Sequence, residues 1–174
     1  PLIDLHIMVS NTTVSLSNRE ADVAIRLTNT PTESLVGKRL VTVASAIYGS
    51  SEYLNQHRQK KENLEWIGAS CCGFHKAWTK ECCDSRSHQF NSDDLLITES
   101  AIREGLGVSF LPCFMGDNNQ RLERYSDPDP KFDLGLWILM HPELKNNVRA
   151  LAFRDHLIQS VNEQRHLFEG IKRD

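Results

Sequence analysis

The stretch that most constrains the fold is residues 19–54, READVAIRLTNTPTESLVGKRLVTVASAIYGSSEYL. Residues 22–27 are a mostly apolar run bounded by turn residues, which predicts a short strand covered on both faces. After a polar loop of Thr, Asn and Pro, residues 36–46 predict a second, longer strand. That strand leads directly into a predicted helix over residues 50–57. Strands that alternate with helices in this way are typical of an α/β protein.

The opening of the chain predicts a strand–helix–strand unit. Residues 3–9 alternate apolar and polar side chains loosely, which indicates a strand. Residues 14–20 predict a short helix that turns the chain back for the strand at 22–27. A unit of this kind forms parallel strands joined by a right-handed crossover.

The clearest helix of the sequence lies at residues 92–104. Ser92 or Asn91 is expected to cap its first turn, and Gly105 is expected to end it in the left-handed conformation. Gly107 then precedes a short buried strand. We expect it at a close approach of helix and strand, where a larger side chain would be destabilising.

Two further elements complete the alternation. Residues 134–140 predict a strand, and Asn146 or Asn147 is expected to cap a final helix that runs to about Phe168. The sequence contains no internal repeat, so the predicted fold class is α/β throughout.

The charge balance argues against direct contact with a nucleic-acid backbone. Lys and Arg number 20 and Asp and Glu number 23, which gives a formal net charge of −3. A domain that grips phosphates usually carries a basic excess instead. No apolar run approaches the roughly 20 residues of a membrane span, and the N-terminus is typical of a strand rather than a signal peptide. We therefore expect a cytoplasmic protein without a membrane partner.

An odd number of cysteines without a secretion signal favours free thiols in a reducing compartment. The five are Cys71, Cys72, Cys82, Cys83 and Cys113. The two adjacent pairs, with His75 and His88, allow a zinc site as an alternative. However, adjacent cysteines do not easily converge on one tetrahedral ion, and the usual two-residue gap between ligands is absent. We expect inert thiols, no metal and no cofactor, with redox sensing or a thiol nucleophile activated by His75 as open alternatives.

Three blocks of the sequence resemble the regulatory domain of the LysR-type transcriptional regulators. They are READVAIRL…LVGKRLV…AIYGSSEYL, FNSDDLLITESAIREGLGVSFLP and LGLWILMHPELKNNVRALAFRDHLIQ, which together cover nearly the whole chain in order. The resemblance implies a two-lobed, type II periplasmic-binding-protein-like fold in which each lobe is a mostly parallel sheet flanked by helices. Residues 1–47 plus 132–174 would form one lobe, and residues 48–131 the other.

The resemblance also implies parts that this sequence does not contain. In the family, a strand and a long helix precede the segment seen here, and a winged helix-turn-helix DNA reader lies further upstream. We therefore expect the first strand and helix of the domain to be missing. DNA would be contacted only through the absent reader, before Pro1, and the intact protein would be a homodimer or homotetramer.

In such a fold a ligand lies at the carboxyl ends of strands and at helix N-termini, where free N–H groups attract anions. Matching positions in the family contact a small effector. We expect a small polar or anionic metabolite, such as a carboxylate, in the cleft between the lobes. The expected contacts are Asn11, Thr12, Thr13, Leu27, Thr28, Ser70, Asn91 and Ser92. The same residues also fit ordinary helix caps and strand-end loops.

The sequence thus predicts an effector-sensing regulatory domain that is not an enzyme. One alternative is a periplasmic-type solute-binding protein, which shares the two-lobed plan. Another is a thiol or metal enzyme that uses the loop at residues 70–88.

Overall fold

The computed structural model describes residues 3–10, 21–31, 35–60, 63–69, 78 and 90–172. The chain divides into two compact units. The first comprises Pro1–Thr42 and Leu134–Arg165, and the second comprises Val43–Asp133 and His166–Asp174. The chain therefore passes from one unit to the other at three places. The lobe bounds expected from the resemblance differ from these units and stay a prediction.

The described elements are a mixture of strands and helices along the chain. The strands are β1 Val23–Leu27, β2 Val36–Val43, β3 Ser45–Ser50, β4 Ile67–Ala69, β5 Phe90–Ser92, β6 Ser109–Pro112, β7 Leu122–Arg124 and β8 Leu134–Met140. The helices are α1 Ser51–Lys60, α2 Leu95–Arg103, α3 Cys113–Gly116, α4 Val148–Glu163 and α5 Arg165–Phe168, with 3-10 turns at Pro130–Phe132 and Pro142–Asn146. Across the described ranges, no helix combines the length and apolarity needed to cross a membrane.

Residues 3–10 form no strand, so the strand predicted for residues 3–9 is wrong. Leu5, Ile7 and Val9 are 62%, 79% and 90% exposed. An extended segment needs a neighbouring strand to satisfy its backbone groups, and the described strands pair only with one another. The helix predicted over 14–20 lies outside the described residues.

In the first unit, β1, β8 and β2 form a three-stranded sheet in that order. β1 runs antiparallel to β8, with Val23 opposite Met140 and Leu27 opposite Leu136. β1 is therefore an edge strand among the described strands, and Ile25 at its centre is 50% exposed. The prediction that this strand is covered on both faces is wrong, because an edge strand of an antiparallel pair can leave one face in solvent. The strand predicted at 134–140 is confirmed as β8.

The single strand predicted at 36–46 is two strands. β2 ends at Val43 and β3 begins at Ser45, and the two strands belong to different sheets. Ala44 separates them, just after the chain has entered the second unit. The sequence has no Gly or Pro there to mark the break. The helix predicted at 50–57 is confirmed as α1, which follows β3 directly.

The second unit is built around the sheet β6-β3-β7, in which both outer strands run antiparallel to β3. Tyr48, Ile102 and Leu111 lie in its buried core, each at 0% exposure. A second apolar cluster contains Trp78, whose ring stacks on Phe110 with the centroids 4.7 Å apart.

Parallel and antiparallel strand pairs both occur among the described strands, where mostly parallel sheets are predicted. β4 and β5 are parallel, as is the bridge between Trp66 and Val108, whereas the pairs β1–β8, β3–β6 and β3–β7 are antiparallel. The reason lies in the chain path. β3 brings the chain into the second unit and β7 precedes its exit, so the two strands lie side by side in opposite directions.

Candidate functional site

Asn91 and Ser92 lie at the end of β5, immediately before α2. In the parallel pair of β4 and β5, Gly68 is opposite Asn91 and Ala69 is opposite Ser92. The carboxyl ends of two parallel strands therefore meet the start of a helix, which is where α/β proteins bind ligands. The Asn91 residue is exposed, whereas Ser92 is only 8% exposed.

The first turn of α2 is capped by Asp94. Its Oδ1 atom accepts hydrogen bonds from the backbone N of Leu96 at 2.8 Å and of Ile97 at 3.0 Å. Ser92 Oγ accepts from Asp94 N at 3.1 Å and donates to Asp94 O at 3.0 Å. The cap predicted at Ser92 or Asn91 is therefore wrong, because the carboxylate of Asp94, two residues after Ser92, reaches the free N–H groups.

This cap changes what the start of α2 can bind. Two N–H groups that would attract an anion already donate to Asp94, and the carboxylate supplies the negative charge that a helix N-terminus favours. The Ser92 hydroxyl is engaged on both its donor and its acceptor side. These N–H groups are therefore already satisfied, while the Asn91 residue beside them is exposed.

Leu27 and Thr28 lie in the first unit, at the end of β1. Thr28 N donates to Gly135 O at 2.9 Å, and Thr28 O accepts from Trp137 Nε1 at 3.0 Å. Thr28 Oγ1 accepts from Thr30 N at 3.1 Å. Among the described residues the Thr28 hydroxyl proton has no acceptor, and a hydroxyl can donate one hydrogen bond. The Thr28 hydroxyl is thus available as a hydrogen-bond donor, and hydrogen bonds to β8 hold the Thr28 backbone in place.

The structure brings Leu27 together with Thr28 and Asn91 together with Ser92, and these two pairs belong to different units. The other expected contacts, Asn11, Thr12, Thr13 and Ser70, lie outside the described residues. Their part in binding stays a prediction.

The two cysteine pairs also lie outside the described residues, as do His75 and His88. Cys113 is described, and it is a free, fully buried thiol. Burial raises its pKa, which keeps the thiol protonated and unreactive. In the ranges that can be described, no three His, Cys, Asp or Glu side chains are grouped as metal ligands.

Sequence reasoning missed a polar cluster in the second unit. Tyr48 Oη donates to Asp117 Oδ1 at 2.8 Å, and Arg124 Nε donates to the same carboxylate oxygen at 2.8 Å and to Tyr48 Oη at 3.2 Å. Burial raises the pKa of Tyr48, and the Asp117 carboxylate raises the pKa of Arg124. Both groups therefore stay protonated and act as fixed donors. No local spacing signals this cluster, because Tyr48 is 69 residues from Asp117.

Comparison with known sequences gives one consistent family. The sequence model of the LysR substrate binding domain matches residues 1–162. A probable HTH-type transcriptional regulator, LtrA of Klebsiella pneumoniae, is 22% identical over 179 residues, which cover 92% of this chain and 57% of that protein. The chain therefore spans a little over half the length of this relative.

Solved structures show the same fold. The regulatory domain of CrgA, a LysR-type transcriptional regulator from Neisseria meningitidis, superposes with a TM-score of 0.69 at 20% identity, covering 83% of this chain and 78% of that one. The AmpR effector binding domain from Citrobacter freundii gives 0.71 at 19% identity, covering 94% and 86%. The predicted α/β, periplasmic-binding-protein-like fold is thereby confirmed.

Proposed function

Because this chain belongs to the LysR substrate-binding domain family, we propose that it is the effector-sensing regulatory domain of a LysR-type DNA-binding transcriptional regulator. The observation that carries the proposal is the family match over residues 1–162 of the 174 in the chain. This match favours a regulator over a periplasmic solute-binding protein or a thiol or metal enzyme.

The effector we propose is a small polar metabolite, bound in the cleft that the family resemblance implies. Thr28 would offer a hydroxyl donor and Asn91 an amide with both donors and an acceptor. Thr28 comes directly after β1 and Asn91 lies within β5, and the backbone of each is held by a neighbouring strand. A carboxylate on the effector would point away from the start of α2, because Asp94 already occupies the N–H groups there. The contacts expected from Asn11, Thr12, Thr13, Leu27, Ser70 and Ser92 belong to the same proposal.

The proposed mechanism is a shift between conformations without chemistry. The effector favours the conformation that it contacts better, by no more than the difference between its affinities for the two. In the intact cytoplasmic protein, a homodimer or homotetramer, the shift would reach DNA through a helix-turn-helix reader upstream of Pro1. No bond in the effector is broken, and neither a metal nor a cofactor is needed.

A thermal-unfolding screen of small polar metabolites and carboxylates tests this proposal. An effector at a hundred times its dissociation constant should stabilise the chain by about 2.7 kcal/mol. Thr28→Val and Asn91→Ala should each raise the dissociation constant about fivefold, since one neutral hydrogen bond contributes about 1 kcal/mol.

Two control variants remove similar groups elsewhere. Thr42→Val removes a threonine hydroxyl that accepts from Arg39 Nη2 at 3.1 Å, and Asn118→Ala removes an exposed amide that donates to Phe114 O at 2.8 Å. Both should bind the effector like the unaltered chain. A stabilising compound that binds both site variants at full strength would remove the site assignment, and the absence of any stabilising compound would contradict effector sensing.

A further inference from the structure

Arg39 is an exposed residue of β2 that lies close to the end of β1. A Cβ atom added at Gly135 would lie 2.8 Å from Arg39 Nε and 3.0 Å from Thr28 O. The same Cβ atom would lie 2.7 Å from Trp137 Nε1. These three atoms therefore surround one point beside β8, and the guanidinium has room there because Gly135 has no side chain. All four residues belong to the first unit.

The backbone around Thr28 is fixed by three hydrogen bonds to β8. Thr28 N donates to Gly135 O at 2.9 Å, and Thr28 O accepts from Trp137 Nε1 at 3.0 Å. Gly135 N donates to Asn29 Oδ1 at 3.0 Å. Thr28 Oγ1 accepts from Thr30 N at 3.1 Å, which also orients the hydroxyl. A donor that is already held in place loses little conformational entropy when a ligand accepts from it.

Arg39 carries a positive charge that no carboxylate balances in the part of the chain that the structure describes. Its side-chain hydrogen bond there runs from Nη2 to Thr42 Oγ1 at 3.1 Å, and that hydroxyl is neutral. A guanidinium has five N–H donors in one plane and can bind a carboxylate through two of them. Most donors of Arg39 are therefore open to a ligand.

Most other arginines with a described side-chain contact are paired differently. Five of them form an ion pair with a carboxylate of the same chain: Arg58, Arg103, Arg121, Arg124 and Arg154. Arg39 instead lies beside the carboxyl end of a strand, where α/β proteins bind ligands. Its neighbour there is the Thr28 hydroxyl, a second donor, so the two groups together favour an anion.

We propose that Arg39 and the Thr28 hydroxyl form an anion subsite in the first unit, and that the effector occupies it with a carboxylate. This inference rests on the proposed function, because Thr28 is one of the effector contacts named there. The guanidinium supplies the charge and two parallel N–H donors, and the hydroxyl supplies a third donor. A carboxylate has about four lone-pair sites on its two oxygens, so it can accept all three.

Titration with acetate, a minimal carboxylate, tests the subsite without a known effector. The reporter is the NMR resonance of the Trp137 indole N–H, because Nε1 lies beside Arg39 and donates to Thr28 O. Acetate at millimolar concentrations should shift this resonance until it saturates. Acetamide, and sodium chloride at the same ionic strength, should not. The indole resonances of Trp66 and Trp78, in the second unit, are internal references that should stay in place.

Arg39→Gln removes the charge and the planar fork at an exposed position, so the chain should stay folded. It should raise the dissociation constant for acetate about tenfold, as the loss of a hydrogen bond to a charged group implies. Arg149→Gln is the matched control, since Arg149 is an exposed arginine on α4 of the same unit. It should bind acetate like the unaltered chain. Thr42→Val should do the same, because it removes only a neutral acceptor and leaves the Arg39 charge in place.

The absence of a saturable shift, an equal response to acetamide, or equal losses in the two arginine variants would overturn the subsite. This outcome differs from a failure of the proposed function. Stabilising metabolites without an acetate response would leave effector sensing intact and remove only the subsite. An acetate response that depends on Arg39, without any stabilising metabolite, would support the subsite and contradict effector sensing alone.

Discussion

At the scale of single residues, Gly107 shows how close backbone contacts constrain the sequence. Its φ is +152°, and a Cβ atom there would lie 2.5 Å from Glu65 O. The same carbonyl accepts from Val108 N at 2.9 Å. The close approach predicted at Gly107 is confirmed, although the neighbour is the backbone before β4 rather than α2.

We predict that Gly107→Ala lowers the free energy of unfolding by about 2–3 kcal/mol, because the methyl group would displace a backbone carbonyl. Gly105→Ala is the matched variant. The φ of Gly105 is +78°, but a Cβ atom there would have Ser50 Oγ as its nearest neighbour, at 3.8 Å. Backbone strain should therefore lower the free energy of unfolding of this variant by only about 1 kcal/mol. Urea unfolding followed by circular dichroism compares the two, and equal losses would show that the contact with Glu65 contributes nothing.

Local sequence patterns do not predict the hydrogen-bond partners of individual side chains. Four acceptors precede α2 within a few residues, and the sequence alone does not rank Asn91, Ser92, Asp93 and Asp94 as caps. Gly105 was predictable, because only glycine takes a left-handed helix end at low cost. The residues at strand ends were predictable as candidate contacts because strand ends follow from turn signals. Their hydrogen bonds depend on partners such as Trp137, 109 residues from Thr28.

At the scale of elements, α2 carries capping at both ends. Asp94 accepts from two N–H groups at its start. At its end, Gly105 N donates to Ile102 O at 2.9 Å and Leu106 N to Ala101 O at 3.1 Å. These local bonds explain why this helix was the easiest to predict.

The Asp94 cap gives a second stability prediction. Asp94→Ala should destabilise the chain by about 1 kcal/mol, whereas Asp94→Asn should be nearly neutral because asparagine caps equally well. Thermal unfolding of the two variants measures the difference. An asparagine variant as unstable as the alanine variant would assign the effect to the charge of Asp94 rather than to its hydrogen bonds.

Elements whose bounds depend on distant partners were harder to predict. The apolar pattern through residues 36–46 continues across Ala44, so only the sheet to which each half belongs reveals two strands. Residues 3–9 have the alternation of a strand but no described neighbour, which shows that alternation alone does not make a sheet. β8 was predicted correctly, because Pro142 and the preceding loop bound it on both sides.

At the scale of the whole molecule, the division into two units depends on contacts far apart in sequence. The first unit joins Pro1–Thr42 to Leu134–Arg165, and β1 pairs with β8 across that separation. Composition and periodicity contain no signal for such a pairing. The order of the three sequence blocks that resemble LysR-type regulators does contain such a signal. The resemblance therefore predicted the fold, whereas local patterns predicted only the fold class.

The most direct test of the account is equilibrium dialysis of the intact chain against the compound that stabilises it most, followed by recovery and NMR of that compound. We predict saturable binding of one molecule per chain, with every molecule recovered chemically unchanged. Conversion of the compound to a product, or uptake that does not saturate, would contradict the claim that this domain senses a small molecule by binding alone.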